Sequence, residues 1–267
     1  MNGDSFWVSG LKTGLIRPGD EIVDHLVAAC EGGPCRHFMD GDILVIAESA
    51  VATAEGRVVP LERIEPGEQA RALAERYRMD PRVVELVLAE SEIVIGGIEG
   101  FLLSMKNGTL LPNAGIDASN APPGTVILLP EDPDRSAERI RRVIARRCNA
   151  DVGVIIADSR THPMRLGSAG VAIGCSGICP VADERGRRDL FGRELHVTRR
   201  AVADCLSSAA ELVMGEADEC TPAAVVRGSG LPIRDYTGIE TIDASECLFM
   251  GIALHADPAL LDRERKP

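Results

Sequence analysis

The chain has 267 residues, 45% hydrophobic and 3% aromatic, with 29 basic against 41 acidic side chains and a net charge of −12. This length and apolar content support a buried core and exclude a disordered polymer. The acidic balance speaks against non-specific nucleic-acid binding, and the few aromatics speak against a base-stacking platform. No apolar run approaches a membrane span, and MNGDSFWVSG lacks the basic and apolar regions of a secretory leader, so a cytoplasmic location is expected.

The first elements are a short strand at Phe6–Val8 and a glycine-bearing loop from Gly10 to Ile16. Asp42–Ala47 (DILVIA) predicts a buried strand, with a turn at Ala54–Arg57 behind it. Pro66-Gly67 opens a helix through Tyr77. Asp80-Pro81 opens another, with aspartate as cap and proline in the first turn. Phe101–Met105, Asn107-Gly108 and Thr109–Leu111 predict a hairpin. The oxygen-rich loop NAGIDASN (Asn113–Asn120) follows, then a strand at Val126–Leu129 and a helix started by Asp132-Pro133.

Val152–Ala157 predicts another buried strand that stops at Asp158-Ser159, and Val171–Ile173 is a further apolar stretch. The charged run Asp183–Asp189 predicts an exposed connection. After it comes a long helix to about Val213, with Val202, Cys205, Leu206, Ala209, Leu212 and Val213 on its apolar face. Gly215 is its C-cap, an acidic loop spans Glu216 to Glu219, and Pro222–Arg227 is a strand. The chain after Gly228 carries no regular pattern. Strands and helices mix without strict alternation, which predicts an α+β fold.

The eight cysteines form no Cys-x-x-Cys pair and are read as mostly buried small apolar residues. Lysine occurs only at positions 12, 106 and 266, so a phosphate-binding lysine is Lys12 or Lys106. There is no G-x-x-x-x-G-K-[ST] loop and no G-x-G-x-x-G after a strand. His162 is the one histidine near the suspected strand end. Three acidic features remain at element ends: Asp117, Asp158-Ser159, and Glu216 to Glu219. Their hard oxygens suit magnesium or manganese completed by substrate phosphates. Each also has a plainer reading: an Asx-turn for Asp117, a turn cap for Asp158 and a solvated loop for the late acids. Spacing alone leaves both readings open.

Several longer motifs occur in order: DGDILVIA…AEGR (Asp40–Arg57), NAGIDASN, DVGVIIADS (Asp151–Ser159), RDLFGREL (Arg188–Leu195) and MGE…PAAVVRG (Met214–Gly228). Together they resemble the coenzyme F420-0:L-glutamate ligase family, the γ-glutamyl ligases of deazaflavin coenzyme maturation. The resemblance implies a mixed-sheet α+β fold that is neither ATP-grasp nor P-loop. It gives a family unit over residues 1–228, of two intertwined subdomains, and an extension over 229–267. It also implies a homodimer that uses GTP, two Mg2+ or Mn2+ ions and a monovalent cation such as K+. The reaction would activate a carboxylate of the deazaflavin as an acyl phosphate and join it to the amino group of L-glutamate.

By position in the motifs, Asp117 and Asp158 would bind one metal, and Ser159 and Glu216 the other. Leu11, Lys12, Thr13, Gly14, Leu15, Ile16, Asn120, Met214, Gly215, Glu216, Ala217 and Asp218 would surround the nucleotide. The resemblance identifies no catalytic acid or base. The chain departs from the family pattern at Thr53, where a lysine is typical, and at Arg160-Thr161-His162, where a Gly-Arg pair is missing. It departs also at Glu48, usually a neutral polar residue, and at Gly14, commonly proline. Two accounts follow. Either Lys12, Arg160 or Arg165 supplies the phosphate-side charge, or the chain is a paralogue with another carboxylate, another nucleotide, or a binding role without catalysis.

Overall fold

The computed structural model describes residues 5–253. In chain order the elements are β1 (Trp7–Leu11), α1 (Ile22–Gly32), β2 (Ile43–Ala47), α2 (Glu48–Ala54), β3 (Val58–Pro60), α3 (Glu68–Tyr77), α4 (Pro81–Glu90), β4 (Ile93–Ile98), β5 (Phe101–Lys106), β6 (Thr109–Pro112), β7 (Thr125–Ile127), α5 (Pro133–Cys148), β8 (Gly153–Thr161), β9 (Ser168–Ser176), β10 (Val181–Asp183), β11 (Arg199–Ala201), α6 (Val202–Met214), β12 (Ala223–Arg227) and α7 (Leu248–Ala253). The architecture is mixed α+β.

A five-stranded sheet in the order β1-β12-β2-β8-β9 forms the larger layer. Its strands are apolar on both sides because both faces are covered. Leu44, Ile46, Val154 and Ile156 pack with α1, α2 and α5, while Ile43, Val45, Ile155 and Ala157 pack with α6. A smaller unit joins the three-stranded β4-β5-β6, the β3-β7 pair, α3 and α4 around Val84, Val87, Leu102 and Val126. Leu231, Ile233 and Ile239 lie against the α6 side of the large sheet. Arg234 N–H donates to the Gly177 carbonyl, and Gly238 N–H to that of Cys175. Residues 231–239 thus form an irregular strap docked on the sheet, ahead of α7.

Local chemistry explains the elements that were easiest to foresee. Asp80 and Asp132 accept from the backbone N–H of Arg82 and Arg135, each followed by proline in the first turn. Asn107 (φ 50°) and Gly108 (φ 68°) supply the two left-handed residues that a tight hairpin requires.

Other expectations change. β8 does not stop at Asp158. Its parallel pairing with β2 ends at Ala157, but its antiparallel pairing with β9 continues to Thr161. The long helix starts only at Val202. Before it, an exposed loop with an Arg188–Glu194 bridge leads into the β10-β11 pair. The α6 face is also rotated from the expected one. Val202, Ala203, Leu206, Ser207 and Ala210 are buried, whereas Cys205, Leu212 and Val213 are exposed. The reason is close approach to β9: a Cβ on Gly170 would lie 2.5 Å from the Ser207 carbonyl oxygen. Small residues must therefore face the sheet there. The cysteines are free among the described residues, and only Cys30, Cys35 and Cys175 are buried, fewer than expected.

Candidate active site

The site follows from strand directions. β2 and β8 are the one parallel pair among the described strands, with Ala47 opposite Ala157. The next residues, Glu48 and Asp158, therefore leave the same edge side by side. β12 runs antiparallel to both β1 and β2, so Ala223 stands opposite Leu11 and Ile46. The loops 12–16 and 214–222 consequently open onto this edge as well. They are tied there: Thr13 N–H donates to the Cys220 carbonyl at 3.1 Å, and Ala47 N–H to that of Pro222 at 2.8 Å.

The smaller unit contributes NAGIDASN. Asn113, Ala114 and Gly115 are all left-handed, and a Cβ on Gly115 would meet the Leu129 side chain at 2.6 Å. Asn113 Oδ1 accepts from Leu102 N–H, and buried Ser104 Oγ accepts from Ala114 N–H. Asp117 and Ile127 exchange two backbone hydrogen bonds. The Asx-turn forms too, with Ser119 N–H on Asp117 Oδ1 at 2.8 Å. The turn thus orients a carboxylate that also lines the cavity.

The cavity has a volume of about 810 Å³. Glu48, Asp117, Asp158, Glu211, Glu216, Asp218 and Glu219 line it, and no lysine, arginine or histidine among the described residues does. The carboxylates feel one another. Burial, then the Asp158 charge, pushes Glu48 well above the ordinary carboxylate range. Burial also raises Asp158, with Arg160 opposing and Asp117 adding to the rise. Hydrogen-bonding contact with Glu211, then burial, pushes Glu216 up to about 7, against the pull of the Ser159 hydroxyl. One Glu211 oxygen, Oε1, is buried with no hydrogen-bond partner.

The lining holds one cysteine, Cys220, and no histidine among the described residues; a set dominated by carboxylate and hydroxyl oxygens fits a hard divalent cation. An orphaned buried carboxylate oxygen fits the same need. No three acidic, histidine or cysteine side chains among the described residues enclose an ion by themselves. Magnesium-type ions commonly complete their shells with water and substrate phosphate.

Of the residues expected around a nucleotide, Gly14, Leu15, Ile16, Asn120, Met214, Gly215, Glu216, Ala217 and Asp218 line the cavity. Leu11 is wholly buried in the core, and Lys12 and Thr13 are not in the lining. The expected metal residues Asp117, Asp158, Ser159 and Glu216 all line it, as do Glu48, Thr53 and Thr161.

None of the cations considered for the phosphate side lines the cavity. Lys12 and Arg165 are exposed. Arg160 sits behind Asp158, with Nε 2.9 Å from Oδ2, and borders a second cavity of about 330 Å³. Lys106 is paired with Glu90. His162 lies outside the lining, its ring edge-on to Phe249. The residue that sequence reasoning missed is Glu211. It sits beside the exposed Leu212 and Val213, which the sequence pattern places on the core face. The available signal was an acid in the last turn of a helix, where the macrodipole disfavours it.

A mixed sheet with an acid-lined cavity at the end of its parallel pair places a ligand site where such layers gather ligands, and defines its class only broadly. The comparisons narrow it: the family model described as F420-0:Gamma-glutamyl ligase matches residues 10–228, and the chain belongs to that family. It is 49% identical to the "Coenzyme F420:L-glutamate ligase" of Methanopyrus kandleri, over 84% of this chain and 86% of the relative. The proteins of the same name from Methanothermobacter thermautotrophicus and Archaeoglobus fulgidus are 45% and 42% identical, over 80% and 92% of this chain and 85% and 95% of theirs. The relatives' name denotes an enzyme that forms a C–N bond, so the chain belongs to a family of ligases. No helix among the described residues is long and apolar enough to cross a membrane.

Proposed function

We propose that this protein joins L-glutamate, through its amino group, to a carboxylate of a deazaflavin precursor of coenzyme F420. The reaction would use GTP and two divalent cations and pass through an acyl phosphate. The observation that carries this reading is a cavity with many carboxylates and no basic residue in its described lining. A polyphosphate cannot enter such a cavity without cations to reverse its field. Asp117 and Asp158 would hold one ion, and Ser159 and Glu216 the other. Bound Mg2+ or Mn2+ would neutralise the nucleotide's phosphates and fix their position. Asn120 and the loops 14–16 and 214–218 would embrace the nucleotide, and the folded walls would exclude water from the activated carboxylate.

The absence of lysine at Thr53 places more of the charge balance on cations, which suits a monovalent ion such as K+ beside the divalent pair. A homodimer is in keeping with the exposed Leu190, Phe191, Val197 and Leu212, which a second copy would cover. The 49% identity to a named ligase favours the ligase over a divergent paralogue.

The test is direct. Purified protein, deazaflavin precursor, L-glutamate, GTP and Mn2+ should give a product heavier by one glutamyl unit. No product from folded, metal-binding protein would overturn the proposal. Product with another nucleoside triphosphate but not GTP would move it to the paralogue reading.

A further inference from the structure

Glu211 stands outside the ligand set assigned above. Its Oε1 is the single buried side-chain nitrogen or oxygen without a hydrogen-bond partner among the described residues. The residue lies in the last turn of α6, a turn that contains no basic side chain, and it lines the acidic cavity. The helix carbonyls add partial negative charge there. Beyond the helix, Gly215 turns the chain sharply at φ 76°, with its N–H on the Glu211 carbonyl at 3.0 Å. That turn folds Glu216 back against the Glu211 carboxyl and the Ser159 hydroxyl. A Cβ on Gly215 would strike the Glu219 carboxyl at 2.4 Å, so glycine fixes the turn.

Two species can sit between facing carboxylates: a proton or a cation. A proton shared by Glu211 and Glu216 engages only one oxygen of each and removes only one of the cavity's charges. A cation contacting Oε1 directly gives that oxygen its only partner and lowers the repulsion of the whole group. From this geometry we infer that Glu211 is a ligand of the second divalent cation, together with Glu216 and the Ser159 hydroxyl. A rigid helix end then supplies one side of the ion's shell, and the short glycine-hinged loop supplies the other. The inference rests on the metal-dependent reading above and adds a residue to it.

The experiment is a titration of the full chain with Mn2+, followed by electron paramagnetic resonance of the free ion. It is run with and without a non-hydrolysable GTP analogue, on the wild type, Glu211→Gln and Asp158→Asn. The wild type should bind two ions. Glu211→Gln should keep one and weaken the other at least tenfold, while Asp158→Asn should weaken the opposite site. Unchanged affinities at both sites in a folded Glu211→Gln protein would overturn the inference and leave the two-metal reading standing. A wild type that takes up no Mn2+ in either condition would overturn both. Anomalous scattering from Mn2+ in wild-type crystals is a check independent of any variant's folding. An ion in contact with Oε1 supports the assignment, and a second ion held by Glu216 without Oε1 refutes it.

Discussion

Two sets of partly buried carboxylates in this molecule meet opposite fates. Glu90, at the end of α4, is enclosed by the fold's own cations. Arg57 Nη2 donates to both of its oxygens at 2.9 Å, and Lys106 Nζ approaches to 2.5 Å. Burial works to raise Glu90, but Lys106 and Arg57 outweigh it and hold the carboxyl below its ordinary value. Arg57 Nε also donates to the Leu129 carbonyl, so the pair locks β3 and α4 to the chain just after β7. At the cavity the same residue types have no base in the lining; only Asp158 keeps a cation, Arg160, behind it, and Glu48, Asp158 and Glu216 are all pushed upward. A carboxylate the fold neutralises is structural. A group it leaves crowded and open is reserved for something that arrives later.

The largest effect expected from breaking this contrast is on the open side. Asp158→Asn should lower kcat/KM roughly 10²–10³-fold at saturating Mn2+, by removing a charge that, on the proposed function, orients the ions on the nucleotide's phosphates. The metal-free melting temperature should fall only modestly, because relief of repulsion with Asp117 and Glu48 offsets part of the loss of the anion that Arg160 Nε contacts at 2.9 Å. A loss of stability in chelator with little loss of kcat/KM would make Asp158 a structural residue instead. On the closed side, Glu90→Gln should cost about 2 kcal/mol in urea unfolding, since Arg57 and Lys106 lose their shared anion in a partly buried place. Its effect on activity should be small. Equal losses of stability and kcat/KM would erase the distinction between the two sets.

A smaller effect belongs to Glu48, which follows β2 as Asp158 follows the β2-paired part of β8. Glu48→Gln removes one repelling charge and keeps the shape. The metal-free protein should become more stable, by about 1 kcal/mol or less, while Mn2+ binding weakens in calorimetry. Tighter Mn2+ binding would show that Glu48 obstructs the site rather than serving it.

How much of this contrast was legible in sequence depends on distance along the chain. Asp80-Pro81, Asp132-Pro133 and Asn107-Gly108 announce their structures because caps and tight turns are decided within a few residues. Asp117, Asp158 and Glu216 were found through the order of motifs, not through spacing. Their convergence depends on β2 and β8 running parallel with Ala47 opposite Ala157, which no local pattern encodes. Glu211 stayed hidden for a packing reason. The bulky Leu212 and Val213 suggested one buried face of α6, while close contact with Gly170 selects a face built on Ala203, Ser207 and Ala210. The Arg57–Lys106 clamp on Glu90 joins residues from three distant elements and was equally invisible.

The finest separation of the two sets is by proton. Glu216 titrates near 7 in the folded protein against an ordinary value of 4.5, so the metal-free fold binds that proton more tightly than the unfolded chain does. Its stabilisation is complete below about 4.5 and is lost as pH rises through about 7. Glu48 and Asp158 shift in the same direction and add to the slope. Glu90 has the opposite sign: its contribution is present above its unfolded value and disappears as acid protonates the folded carboxyl. The windows therefore do not overlap. In chelator, the melting temperature should decline from about pH 5 to about pH 7.5, and Glu216→Gln should flatten part of that decline. With Mn2+ present the slope should reverse, because the ion binds the ionised carboxylates and competes with their protons. A metal-free melting temperature that rises across this range, or a slope that Mn2+ leaves unchanged, would mean that the cavity's acids are already neutralised by the fold, as Glu90 is.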